Sequence, residues 1–246
     1  MALSSIAASA EIIAGSVDDP ALGRSFVAQL SGEITARDVE ALAGARALAE
    51  ATNVRMLMLD SPGGDVESAL SIGRMVRALG ITVIVPPGAE CLSACVFILA
   101  AGADRIPKGR VGIHRPYFLV PPGRDIGEAL RHIEQESRDY LAEMNVPARL
   151  AEDMFSIDPR EMEILDDEQL RAYRLTGRDM VDREESALRL AEELGMSRQD
   201  YEAFAGDLNY RCAIFSGQRS ALFDCIRTVA AAHGVPDASR LLGDGQ

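Results

Sequence analysis

One lysine and three histidines are all that this 246-residue chain holds of two side chains often used as catalytic bases. A mechanism that needs such a base has four candidates: Lys108, His114, His132 and His233. Positive charge is scarce overall. The 25 Lys and Arg residues face 38 Asp and Glu, for a net charge of −13. That balance excludes a nucleic-acid backbone binder, which needs a basic surface. No apolar run approaches the roughly 18–20 residues of a membrane span. The longest, around Cys95–Ala101, is core-sized. The four cysteines form two close pairs, Cys91/Cys95 and Cys212/Cys225, and neither has zinc-site spacing with histidine partners. No motif calls for a metal or a cofactor.

What is present suits one large domain with an appendage, and 48% hydrophobic residues give it ample core. Residues 1–10 end in Ala8-Ser9-Ala10, the A-x-A form of a signal-peptidase site. The segment lacks a positive start. It reads as a small-residue tail, or as the remnant of a signal peptide whose front lies outside this sequence.

Apolar periodicity then predicts the elements. Ser25–Leu30 and Val54–Leu59 read as strands, with a helix over Ile34–Ala51 between them. The second strand ends at Asp60-Ser61-Pro62-Gly63-Gly64. Asp65 is a plausible N-cap for a helix whose apolar face includes Val66, Ala69, Leu70, Gly73 and Val76. Ile81–Val85 is a buried strand, Cys91–Ala101 a buried helix, and Val111–His114 a short strand stopped by Pro116. Asp125–Asn145 is an amphipathic helix, and Asp166–Gln169 has capping-box form. Strands alternating with helices over residues 11–180 predict an α/β domain with a mostly parallel sheet. Residues 181–246 read as a helical C-terminal extension.

Three motifs can carry chemistry. Gly63-Gly64, between a strand and a helix, lets main chain approach a ligand and present N–H groups, as an oxyanion hole requires. Taken alone, Pro62-Gly63 reads as a turn. Ser93, in Cys91-Leu92-Ser93-Ala94-Cys95, can be an ordinary N-cap. It can also be a nucleophile with the Ala94 N–H beside it as an oxyanion donor. His114 follows a strand and is held by Pro116, whereas His132 reads as solvent-facing and His233 as a helix C-terminal residue.

The order strand–SPGGD–helix–strand–CxSAC–helix–strand–GIHRP resembles the proteolytic subunit of the Clp protease and its ClpP/crotonase relatives. The resemblance runs over about Ser25–Leu175, and is strongest to the often exported ClpP-like proteins with the C-x-S-A-C form. It implies repeated β-β-α units and a serine hydrolase, with a peptide or protein as substrate. It also implies Ser93 as nucleophile, His114 as general base, and Gly63, Gly64 and Ala94 at the oxyanion hole. The third member is less well matched. Tyr173-Arg174-Leu175 resembles the family's closing Tyr-Gly-Leu, and counting back puts Met162 where the family has Asp. The orienting carboxylate is then Asp158, Glu161, Glu163 or absent, with Asp158 standing first. Asp158-Pro159 also reads as an N-cap with proline at the first helical position. A homo-oligomer is a further implication. Signal-peptide peptidases of the same superfamily use a Ser–Lys pair, but Lys108 sits in a turn and reads as a solvated charge.

Two rival functions keep the fold. One is a crotonase-type acyl-CoA enzyme. The other is a non-catalytic binding or scaffold protein. Cys91 and Cys95 would lie about 6 Å apart within one helical turn, inside disulfide range; they also suit two small buried residues. A Cys212–Cys225 bond would staple two helical segments. Paired cysteines behind Ala8-Ser9-Ala10 favour an oxidising compartment, so a periplasmic location is expected, with the cytoplasm as the alternative.

Overall fold

A computed structural model describes residues 11–19, 23–52, 54–116, 126–215 and 218–235. The A-x-A expectation at residues 8–10 lies outside them. The chain divides into two compact units, Met1–Asp179 and Met180–Gln246.

The first unit begins with strand β1 (Glu11–Asp19), antiparallel to β2 (Gly23–Ile34). Thr35 precedes helix α1 (Ala36–Glu50), and its N–H donates to the Asp38 carboxylate at 2.8 Å. Strand β3 (Val54–Gly64) follows, then helix α2 (Val66–Ala78). As the sequence predicts, Asp65 caps α2 by accepting the Ser68 N–H at 2.8 Å. Strands β4 (Thr82–Val85) and β5 (Glu90–Leu92) lead to helix α3 (Cys95–Ala101). Then come β6 (Asp104–Pro107), β7 (Arg110–Ile113), α4 (Ile126–Glu143) and α5 (Arg149–Ser156). The unit closes with β8 (Glu163–Ile164), α6 (Asp167–Ala172) and β9 (Gly177–Arg178). The Asp166–Gln169 capping box is present at the start of α6.

Strand β3 is the axis of the sheet. It runs parallel to β2 along its length, to β4 at Met56–Met58, and to β5 at Ser61. The β4/β6 and β5/β7 pairs are also parallel, and antiparallel β1, β8 and β9 lie at the margins. The fold is therefore mixed α/β with a mostly parallel sheet. Such a sheet is covered on both faces, which explains why Leu57, Leu59, Val83 and Val85 are fully buried. Helix α3 is buried at all seven residues, each large apolar side chain contributing about 1.5–3 kcal/mol. Tyr140 of α4 donates to the Phe97 carbonyl of α3 at 2.8 Å. Its hydroxyl fills the space a Cβ at Gly73 would need. Arg105, only 2% exposed, pairs with Asp179 at 3.1 Å and donates to the Met144 carbonyl.

Several boundaries differ from expectation: β2 runs on through Ile34, where the sequence predicts a helix, and two further differences lie beside the candidate site. Strand β3 does not stop at Leu59. After a register shift between Ser31 and Glu33, Gly63 and Gly64 pair with Glu33 and Ile34, so the SPGG segment continues the strand. Cys91 is not helical. It lies in a three-residue strand between Ser61 and Val111, and the helix starts at Cys95.

The second unit is helical: α7 (Met180–Leu194), α8 (Arg198–Cys212), a short 3-10 turn (Ala213–Phe215) and α9 (Arg219–Ala232). Its core gathers Phe204, Cys212, Val229, Ala230 and Val235. A Cys212–Cys225 disulfide joins the end of α8 to α9. No helix among the described residues is long and apolar enough to cross a membrane.

Candidate active site

The partner of β3 changes from β4 to β5 near its carboxyl end. In open parallel sheets ligands bind outside the carboxyl ends of strands, where the strand order changes. Here that end is the SPGG segment. Ser61 is fully buried, and its Oγ donates to the Gly32 carbonyl at 2.6 Å. The same Oγ accepts the Gly63 N–H at 3.1 Å, folding the segment onto itself. Gly63 has φ +106° and Gly64 φ +145°, both costly for any residue with a Cβ. A Cβ on Gly63 would also stand 2.8 Å from the Leu92 carbonyl oxygen, 2.8 Å from Ser93 Cβ and 3.1 Å from Ala94 N. Gly63 therefore lets β3 press its main chain against Ser93 and Ala94.

Ser93 occupies the turn from β5 into α3. Its φ is +55°, left-handed and non-glycine, a conformation that costs roughly 1–2 kcal/mol. The surroundings hold it there. Its N–H donates to the Gly112 carbonyl at 2.9 Å, and its own carbonyl accepts the Val96 N–H at 3.0 Å. A Cys91–Cys95 disulfide, with α-carbons 5.2 Å apart, brackets the turn. A serine on a tight strand-to-helix turn is the arrangement that exposes a hydroxyl to a cleft.

His114 follows β7 and is 5% exposed. Burial is the main influence on its ring, and it lowers the pKa below the ordinary 6.5. Main-chain hydrogen bonds with Pro159 and Arg115 push the other way. A group that raises a histidine pKa accepts from the ring, so these are carbonyls. Ser93, His114, Gly63 and Gly64 all line one cavity of about 650 Å³, together with Thr35 and Pro116.

The carboxylates expected near His114 have contacts of their own. Asp158 accepts the Arg160 N–H at 2.9 Å, so it caps its own turn. No helix starts at Pro159; residues 158–162 are a turn and coil, and α6 begins at Asp167. Glu161 is exposed. Glu163 pairs with Ile113 across β7/β8 and accepts from the Gln169 side chain at 2.6 Å. Met162 brings its sulfur against Gly112. Sequence reasoning singled out Ser93, His114 and the two glycines, and all four line the one cavity. It missed the Ser61 lock, whose only signal is a serine entering Pro-Gly-Gly, and the Pro159 carbonyl, which has no side-chain signature.

Lys108, His132 and His233 are not among the residues that line this cavity. Lys108 is exposed beyond β6. His132 lines a neighbouring cavity of about 460 Å³ on α4. His233 lies in the second unit, 3.3 Å from Asp207. Among the described residues no three His, Cys, Asp or Glu side chains gather as a metal site would require.

Comparison with known proteins adds a family. A model of the Clp protease family matches residues 22–146, half of the chain. A solved structure of a serine-to-alanine mutant of the 1510-N membrane-bound stomatin-specific protease superposes with a TM-score of 0.48. It is 22% identical, over 65% of this chain and 83% of that one. No curated protein matches the chain.

Proposed function

This chain belongs to the Clp protease family, and on that premise we propose that it is a serine peptidase with Ser93 as nucleophile and His114 as general base. The observation that carries the proposal is the cavity. It gathers a left-handed serine, a buried histidine and a glycine main chain at the carboxyl end of β3. In this reading the neutral His114 imidazole takes the Ser93 hydroxyl proton as Oγ attacks a peptide carbonyl. The Ala94 N–H, beside Gly63, receives the developing oxyanion. Gly63 contributes by its close approach, since its own N–H is held by Ser61 Oγ. Gly64 completes that wall. His114 then passes the proton to the leaving amine, and water releases the acyl group from Ser93.

The Pro159 carbonyl favours the protonated His114 ring. It does so without the full negative charge that a triad carboxylate brings to the imidazolium. Asp158→Ala is therefore expected to change kcat/KM less than about threefold, where loss of a true triad aspartate costs roughly 10⁴. Steady-state cleavage of a fluorogenic peptide measures this. A loss of hundredfold or more would put Asp158 back in the mechanism.

Two internal disulfides also support an oxidising, exported setting. The function itself is tested by incubating the protein with an unfolded polypeptide and sequencing the products by mass spectrometry. Cleavage by the parent and none by Ser93→Ala supports a peptidase. Cleavage that survives in Ser93→Ala, or turnover of an acyl-CoA thioester in its place, contradicts it.

A further inference from the structure

We propose that the Cys91–Cys95 disulfide is a positioning clamp that holds Ser93 in its left-handed conformation, with its hydroxyl presented to the cavity. The proposal rests on reading Ser93 as the nucleophile and says what keeps it competent.

Ser93 is the middle residue of the five that the bond closes. Both ends are anchored. Cys91 is fully buried in β5 between Ser61 of β3 and Val111 of β7. Cys95 is fully buried at the first turn of α3. The chain must turn from strand to helix between them, and it does so through a left-handed serine. In the G-x-S-x-G turn of other serine hydrolases, glycines two residues before and two after the serine make room for a strained turn. Here cysteines stand at those same two positions. Glycine gives room, whereas a cross-link gives closure. Neither Leu92 nor Ala94 supplies a glycine's freedom. The turn is also pressed from outside, because Gly63 leaves no spare space at the Leu92 carbonyl or Ser93 Cβ.

The loop is the shorter of the two disulfide loops and removes less entropy from the unfolded chain. Loop-closure entropy grows with the number of residues enclosed. The bond spans a sequence separation of 4, against 13 for Cys212–Cys225. The residue at the centre of the loop it closes, and so the one it constrains most directly, is Ser93.

The test compares rates of Ser93 modification by a fluorophosphonate, measured as kinact and KI. Four proteins are used: the oxidised parent, the same chain prepared as the dithiol, Cys91→Ala/Cys95→Ala, and Cys212→Ala/Cys225→Ala. Circular dichroism and thermal melting report folding. The proposal expects kinact to fall about tenfold in the dithiol and in Cys91→Ala/Cys95→Ala, equivalent to about 1.4 kcal/mol. KI should be unchanged, reoxidation of the dithiol should restore the rate, and Cys212→Ala/Cys225→Ala should match the parent. Equal kinact in a folded dithiol overturns the clamp. So does failure of both the dithiol and the Cys91/Cys95 variant to fold, which makes the bond a folding staple. Absence of Ser93 labelling in the oxidised parent is a different result: it removes the nucleophile reading itself.

Discussion

His114→Ala is expected to lower kcat of peptide cleavage by about 10³- to 10⁴-fold, with KM little changed. A general base acts in the transition state and adds little to substrate binding. The effect carries a pH signature. Burial disfavours the charged imidazolium, so the folded pKa lies below 6.5. Neutral imidazole, the form able to accept the Ser93 proton, thus persists as pH falls below 6.5. Activity is lost only when pH passes the folded pKa. The parent should show an acid limb in kcat/KM whose midpoint is below 6.5, and His114→Ala should lack that limb. A midpoint at or above 6.5, or the same limb in the variant, would assign the titration to another group.

Gly63→Ala is the second large effect. The new methyl would meet the Leu92 carbonyl oxygen and Ser93 Cβ at 2.8 Å, closer than real Cβ contacts allow. Neither neighbour can yield freely. Leu92 is in β5, and Ser93 is held by the Gly112 carbonyl. The turn must move, and displacement of a reacting group by about 1 Å can cost 10²-fold in rate. kcat should therefore fall by about that factor, with the protein still folded. Gly80→Ala is the control. Gly80 also has positive φ, +60°, but a Cβ there meets nothing within 4 Å. It should lower the thermal midpoint and leave kcat near the parent value. Equal losses of kcat in both variants would mean that backbone strain, not the approach to Ser93, is responsible.

The strands and helices from β2 to α2, and the caps at Asp65 and Asp166, were legible because their signals are local. Apolar spacing and capping chemistry act within a turn or two. What escaped depends on distant chain. Strand β1 carries Ile13 and Val17 on its exposed side, so its apolar residues do not alternate as in a half-buried strand. Strands β5 and β8 have three and two residues, and exist through pairing with Ser61, Val111 and Gly112. Cys91 reads as helical in the sequence for that reason: the apolar run is visible and its strand partners are not. At the site, side-chain chemistry was legible and main-chain chemistry was not. Ser93, His114 and Gly63-Gly64 stand out as residue types at a spacing. The left-handed backbone of Ser93 and the Pro159 carbonyl at His114 leave no such mark. Asp158 stands out in sequence as a carboxylate, and the sequence does not show that it accepts the Arg160 N–H of its own turn.

The central claim is that Ser93 is a nucleophile activated within this cavity. It is tested most directly by treating the oxidised protein with a fluorophosphonate and locating the adduct by tandem mass spectrometry. The account predicts one adduct, on the peptide containing Ser93, absent from Ser93→Ala and strongly slowed in His114→Ala. An adduct on a different serine, or no adduct on a folded parent with its Cys91–Cys95 bond intact, would contradict it.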